Sequence, residues 1–198
     1  MYTPEYGRYL KRDTNFLEVK RQLFHLVAIS LWLIPIYVLP EGIVILLFTL
    51  AITVNLFVVF KKQPFYGLFR PLLEGLERTE NIDKPGIQAL YANLGVFVAF
   101  VLFGDSSAVG VLTLAVGDSF STLVGKFFGR SKLPWNGEKS WEGSLAFFLS
   151  VYPLLSAFTG SDSAVLVALL CSLGESLKLQ IDDNFTLPLL ATAVFHLM

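Results

Sequence analysis

The chain has 198 residues, of which 54% are hydrophobic and 16% charged. Soluble domains carry about 25% charged residues, so this composition excludes an ordinary soluble domain and points to a membrane. A net charge of −1 supplies no basic footprint for nucleic acid, and the single cysteine, Cys171, excludes an intrachain disulfide.

In chain order, EYGRYLKRDTNFLEVKRQ comes first and reads as an amphipathic lead-in lying on the inner leaflet. A helix crossing the hydrocarbon needs about 20 residues. Apolar runs divided by charge give seven candidate spans, at 22–39, 42–60, 88–103, 108–128, 144–159, 164–177 and 185–198. Lys20 and Arg21 precede the first as they would in a signal peptide, but no small-residue cleavage site follows, so this span is expected to be retained. Between the second and third, KKQPFYGLFRPLLEGLERTENIDKP sets Phe69, Leu72, Leu73 and Leu76 at helical spacing beside charges. That spacing predicts a short interfacial helix serving as a docked connector. The last run is short and is expected to be partly submerged or to begin earlier, near Leu179. No repeat or linker interrupts the chain, so 1–198 reads as one domain.

With the N-terminus in the cytoplasm, the outside loops are 40–41, 104–107 and 160–163. They hold Glu41, Asp105 and Asp162 and no Lys or Arg, so every basic residue falls inside, as the positive-inside rule requires. The expected fold is therefore all-α, a polytopic membrane bundle of about seven transmembrane helices with a cytoplasmic N-terminus. An even number of spans, with the tail inside, is the alternative.

Asp118 stands two to three turns from the inner end of the fourth run, LAVGDSFSTLVGKFFGR. A carboxylate inside a span costs a few kcal/mol and marks function by default. Helical steps align it with Ser121, Thr122, Gly125 and Gly129 in one polar, small-residue stripe. Small residues also suit a packing seam between membrane helices, which accounts equally well for the hydroxyls and glycines but not for the acid. His25, Asn55, Asn93 and Glu175 fall at a similar depth on four other runs, so a polar layer is expected in the inner half of the bundle.

Beyond Asp118, GKFFGRSKLPWNGEKSWEGS offers Lys126, Arg130, Lys132 and Lys139 among glycines, which suits phosphate oxygens. After the sixth run, ESLKLQIDDNFTLPL brings Glu175, Asp182, Asp183 and Asn184 to the same side. Carboxylates without a Cys or His cluster suit a hard cation, Mg²⁺ above all, although Asp and Asn here also suit a helix cap. Phosphate with Mg²⁺ suggests a nucleotide, yet no P-loop, GxGxxG, GxSxG or HExxH occurs.

Four ordered blocks, EVKRQLFH (18–25), GDSFSTLVGKFFGR (117–130), EKSWEGSLAFF (138–148) and ESLKLQIDDNFTLPL (175–189), resemble the polyprenol and lipid kinase family of dolichol kinase, phytol kinase and the CTP-dependent diacylglycerol kinase. The resemblance implies transfer of the γ-phosphate of CTP to the hydroxyl of a long-chain lipid alcohol, with a divalent cation, at the cytoplasmic face of an integral membrane protein. On these matches Asp118, Lys126, Lys139 and Asp183 are the expected catalytic residues. Lys20, Arg21, Gly117, Ser121, Thr122, Gly125, Arg130, Ser140, Glu142, Gly143 and Asn184 are expected around the nucleotide, and Asp118, Asp182, Asp183 and Glu175 around Mg²⁺. A diacylglycerol kinase and a cytidylyltransferase are the alternatives within this chemistry, and an ion-coupled transporter is the alternative outside it.

Overall fold

A computed structural model describes residues 15–77 and 81–198. The expected lead-in before Asn15, with Arg8, Lys11 and Arg12, lies outside the described residues, as does Arg78.

α1 (Asn15–Ser30) and α2 (Leu33–Val38) cover the first expected span as a broken rod. The break follows from Pro35, which has no N–H to give the Leu31 carbonyl; Ile34 donates to that carbonyl instead, at 3.2 Å. α3 (Glu41–Val59) starts directly after Pro40, whose carbonyl accepts the first N–H groups of the helix. α4 (Phe65–Leu76) is the expected connector helix, and none of its residues is buried. α5 (Ile87–Phe103) ends at Gly104, whose φ of 56° is left-handed and breaks the helix. A 3₁₀ turn at Gly104–Ser106 leads into α6 (Ser107–Leu112), a π-helical stretch at Thr113–Asp118, and α7 (Ser119–Phe128). The fourth expected span is thus continuous but carries a wide turn that ends on Asp118, a place where such turns are often found beside function.

Helices are not the whole fold. Lys132–Leu133 (β1) pairs antiparallel with Asn136–Ser140 (β2), a hairpin that the expectation of an all-α chain omits. KLPWNGEKS has no alternating apolar pattern to announce strands. What fixes it is tertiary: Leu133 is buried, and the Trp135 indole and Asn136 amide both donate to the Ser176 carbonyl, at 3.1 and 3.2 Å. Ser140 then caps α8 (Trp141–Thr159), accepting from the Gly143 N–H at 3.2 Å, so the helix begins three residues before the apolar run. Gly160 at φ 87° turns the chain into α9 (Ser161–Ser176), and Asp182 caps α10 (Asp183–His196).

Among the described residues, three stretches are long and apolar enough to cross a membrane: Asn15–Val38, Glu41–Val59 and Ile87–Phe128. The last is 42 residues long, about twice what one crossing needs, and it doubles back. α10 shows this directly. A Cβ on Gly95 of α5 would meet the Phe185 carbonyl, whereas one on Gly110 of α6 would meet Pro188 and Thr192. At the far end, His196 packs on Phe103 and reaches Ser106. α10 therefore runs parallel to α5 and antiparallel to α6, wedged between them through glycines that permit close approach.

One buried cluster joins the helices, built on Trp32 stacked over Phe48 at 3.8 Å, with Phe100, Val111, Leu114, Phe147 and Leu187. Many large apolar side chains face outward instead, among them Leu46, Leu50, Leu102, Leu149 and Phe158. An exterior this apolar is what a lipid solvent selects.

Candidate active site

α1 and α7 run antiparallel with their polar faces together. His25 Nε2 lies 3.7 Å from Asp118 Oδ2, and the Ser119 hydroxyl donates to the Gln22 carbonyl at 3.3 Å. Lys126 donates to Glu18 at 3.2 Å. α7 also crosses α8 at glycines: a Cβ on Gly143 would stand 3.0 Å from the Ser121 carbonyl oxygen, and one on Gly117 would stand 2.5 Å from the Phe147 ring. These contacts fix the rotation of α7 and turn Asp118, Ser121, Thr122, Gly125 and Lys126 into a single cavity of about 950 Å³.

The hairpin and the ends of α9 and α10 close the polar end of that cavity. Lys139, on β2, donates to Glu175 of α9 and to Asp183 of α10, the latter at 2.9 Å. Ser121 donates to the same Glu175 oxygen at 2.9 Å. Glu175 is 1% exposed, and its second oxygen has no partner. Burial alone would lower the Lys139 pKa, but Glu175, Asp183 and Asp118 together hold it above its ordinary value, so the ammonium stays charged.

The other end of the cavity is apolar. Phe24, Ala28 and Trp32 of α1 and its extension face Phe69, Leu72, Leu73 and Leu76 of α4 across it. The amphipathic spacing read in α4 thus has a use: its apolar side walls the cavity. Trp32 donates to Asn93 at 2.8 Å and Asn93 to Asn55 at 2.6 Å, a chain of amides beside this apolar stretch. His25, Asn55, Asn93, Asp118 and Glu175, read from the sequence as one layer on five helices, all line the same cavity.

Of the remaining expected site residues, Arg21, Ser140, Gly143, Asp182 and Asn184 line the cavity, while Lys20, Gly117, Arg130 and Glu142 do not. Lys20 lies over the Phe16 ring at 4.5 Å. Glu142 accepts from the backbone N–H groups of Arg130 and Ser131, at 3.2 and 3.1 Å. Gly129 closes α7 against Ser140 and does not share the cavity with Asp118. Arg21 spends its guanidinium on Glu18 and on the Leu76 and Glu77 carbonyls at the end of α4. Asp182 is engaged as the helix cap, accepting from the N–H and the amide of Asn184 at 2.9 and 2.8 Å.

Glu18 is the residue the sequence reading passed over. It is 3% exposed and binds Arg21, Gln22 and Lys126, holding two cavity-lining cations from behind. Its steps of three and four to Arg21 and Gln22 were available as a signal. For a divalent cation the donor set does not fit as it stands. Among the described residues, no three His, Cys, Asp or Glu side chains converge on one point, because an ammonium lies between Glu175 and Asp183. No step below runs through a metal.

No family model and no solved structure matches the chain. It is 32% identical to an uncharacterized protein of Methanocaldococcus jannaschii over 90% of this chain and 93% of that one. It is 30% identical to a probable chloroplastic phytol kinase of Glycine max over 68% of this chain. To the dolichol kinase of Saccharomyces cerevisiae it is 26% identical over 90% of this chain. The matched stretches make up 53% of the Glycine max protein and 37% of the yeast one, so the chain spans about half or less of these kinases. With four ordered sequence blocks meeting in or around one cavity, and with this set of relatives, the chain belongs to the polyprenol and lipid kinase family of the phytol and dolichol kinases.

Proposed function

We propose that the protein is a phosphotransferase that moves the γ-phosphate of CTP to the hydroxyl of a long-chain isoprenoid alcohol of the dolichol or phytol type. The observation that carries this reading is the two-ended cavity, in which an apolar stretch walled by α1 and α4 opens onto Lys126, Lys139 and Asp118. A lipid tail fits the first part and a polyphosphate the second, so the alcohol and the donor meet at Asp118.

In this reaction the alcohol oxygen attacks the γ-phosphorus, the bond to the β–γ bridging oxygen breaks, and CDP leaves. Lys126 and Lys139 stabilise the charge on the phosphoryl oxygens. Asp118 accepts the alcohol proton. It suits that task better than Asp183, because Lys139 hydrogen-bonds Asp183 at 2.9 Å, whereas the His25 imidazole stands 3.7 Å from the Asp118 carboxylate.

The protein crosses the membrane seven times with its N-terminus in the cytoplasm, as α1–α2, α3, α5, α6–α7, α8, α9 and α10, and 1–198 forms one catalytic domain. The placement of charge supports this. The junctions at Pro40, Gly104 and Gly160 carry Glu41, Asp105 and Asp162 and no Lys or Arg, whereas Arg21, Lys126, Lys132 and Lys139 line the cavity. Labelling single introduced cysteines at Lys62 and Asp162 with an impermeant reagent in intact cells tests the orientation: only the second should react.

Pure full-length protein in detergent, given γ-labelled or α-labelled CTP with dolichol, phytol or diacylglycerol, tests the reaction. Label passing from the γ position to a prenol supports the proposal. Lipid labelled from the α position, with pyrophosphate released, makes the protein a cytidylyltransferase instead. Labelled diacylglycerol alone corrects the acceptor, and no labelled lipid from any pairing overturns the kinase reading.

A further inference from the structure

The β1–β2 hairpin has two sides with different surroundings. Lys132, Glu138, Lys139 and Ser140 line the cavity, whereas Trp135 and Trp141 do not; these two indoles stand edge to face outside it, with ring centroids 5.5 Å apart and planes at 82°. They are 49% and 52% exposed, much for side chains this large. Trp141 opens α8, and the residues four and eight positions on, Leu145 and Leu149, are more than half exposed, while Phe147 and Val151 on the opposite face are fully buried. The outward face of α8 is therefore a lipid-facing stripe with an indole at its first turn. Arg130 belongs to the same edge: its backbone N–H donates to Glu142, beside Trp141, and the next carbonyl, that of Ser131, accepts from the Trp141 N–H at 2.9 Å. Among the described residues, nothing pairs with the exposed Arg130 guanidinium. Indoles collect at the boundary between hydrocarbon and headgroups, and a guanidinium at that level meets lipid phosphate.

We propose that the hairpin is seated in the headgroup layer of the bilayer, with Trp135 and Trp141 at its apolar boundary and Arg130 on a phospholipid phosphate, so that phospholipid is the partner that holds Lys139 over the cavity. The proposal rests on the reading of α8 as a membrane span. Two observations select lipid rather than a soluble partner: Trp141 continues a stripe of side chains that faces hydrocarbon, and the cation beside it is turned away from the cavity and free to take an anion. The hairpin also needs an outside support. β1 is two residues long, and besides the buried Leu133 the hairpin is fastened by two hydrogen bonds that both end on one carbonyl, that of Ser176. Lys139 and the indoles lie on opposite sides of this small element, so whatever moves the indoles moves the ammonium.

Fluorescence of the full-length protein in phosphatidylcholine nanodiscs, brominated at the 6,7 or the 11,12 positions of one chain, measures depth without any turnover. The three tryptophans are Trp32, Trp135 and Trp141, so the emission that Trp135→Phe/Trp141→Phe removes is that of the pair. The shallow bromines should quench it at least about twofold more than the deep ones. Leu149→Trp in that double variant, about 12 Å further along α8, should show the reverse order. A pair quenched equally or better by the deep bromines, or reached only by iodide from the water, overturns the proposal; the span stands if Leu149→Trp is still quenched and falls with it if not. In the native protein the shallow bromines should remove about half or more of all emission, and a smaller loss overturns the proposal even if no variant folds. Trp135→Ser/Trp141→Ser should raise hydrogen exchange across 131–140 about tenfold while 144–159 keeps its protection. Unchanged exchange would mean that protein contacts alone hold Lys139, against the proposal. None of these measurements involves nucleotide, so the kinase reading is decided separately.

Discussion

Arg21 caps α4: its Nε donates to the Leu76 carbonyl at 2.6 Å and its Nη2 to the Glu77 carbonyl at 3.1 Å. The last carbonyls of a helix have no partner within it, and a planar guanidinium can satisfy two at once. α4 has no buried residue of its own, so this clamp does much to hold its apolar side over the cavity. Lysine cannot reproduce the fork. Arg21→Lys should raise hydrogen exchange across 65–77 about tenfold and raise the KM for the lipid while that for CTP moves little. A rise in the CTP KM alone would return Arg21 to the phosphates.

Leu73 stands at the apolar end and within reach of Gly86, where a Cβ would lie 3.8 Å from its Cδ2. Leu73→Trp fills that end of the cavity. The lipid KM should rise about tenfold, and the CTP dissociation constant measured by calorimetry should stay as it is, since no phosphate-side residue is touched. Equal losses for both ligands would contradict the division of the cavity.

In the proposed reaction Asp118 accepts the alcohol proton, and its loss should leave Lys126 and Lys139 in place. Asp118→Asn should lower phosphoryl transfer by about 10²-fold or more, with unchanged far-ultraviolet circular dichroism and CTP binding. Near-native transfer by the folded variant would remove Asp118 from the chemistry.

Gly117 tests the helix crossing. A Cβ there meets the fully buried Phe147 ring at 2.5 Å, whereas one at Gly137 meets nothing within 4 Å. Gly117→Ala should destabilise by about 1–3 kcal/mol, read as a lower Tm, and Gly137→Ala should have no effect. Equal behaviour of the two would mean that α8 yields easily.

Hydropathy and charge run along one dimension, and what they govern was readable there. Pro40, Gly104 and Gly160 end helices because of what proline and glycine do to the local backbone, and each apolar run after the first became helix within a few residues of its expected bounds, whereas the first is broken after Ser30 and is already helical at Asn15. The amphipathic spacing of Phe69, Leu72, Leu73 and Leu76 likewise announced α4 before any partner was known. Depth is also one-dimensional, so His25, Asn55, Asn93, Asp118 and Glu175 could be placed in a layer from the sequence alone.

Rotation about each helix axis, and meetings between distant segments, are set by packing. The π turn before Asp118 and the glycine crossings with α8 decided that Asp118 and Lys126 face the cavity while Gly117 packs on Phe147 and Gly129 on Ser140. Lys139 lies 36 residues from Glu175 and 44 from Asp183, and only the hairpin, held by Ser176, brings it between them. The same is true of Glu18 and Lys126, 108 residues apart. The sequence by itself determined which groups would be too costly to leave alone in lipid; the tertiary structure decided their partners, because the energy of a buried charge depends on what stands within a few ångströms and not on its place in the chain.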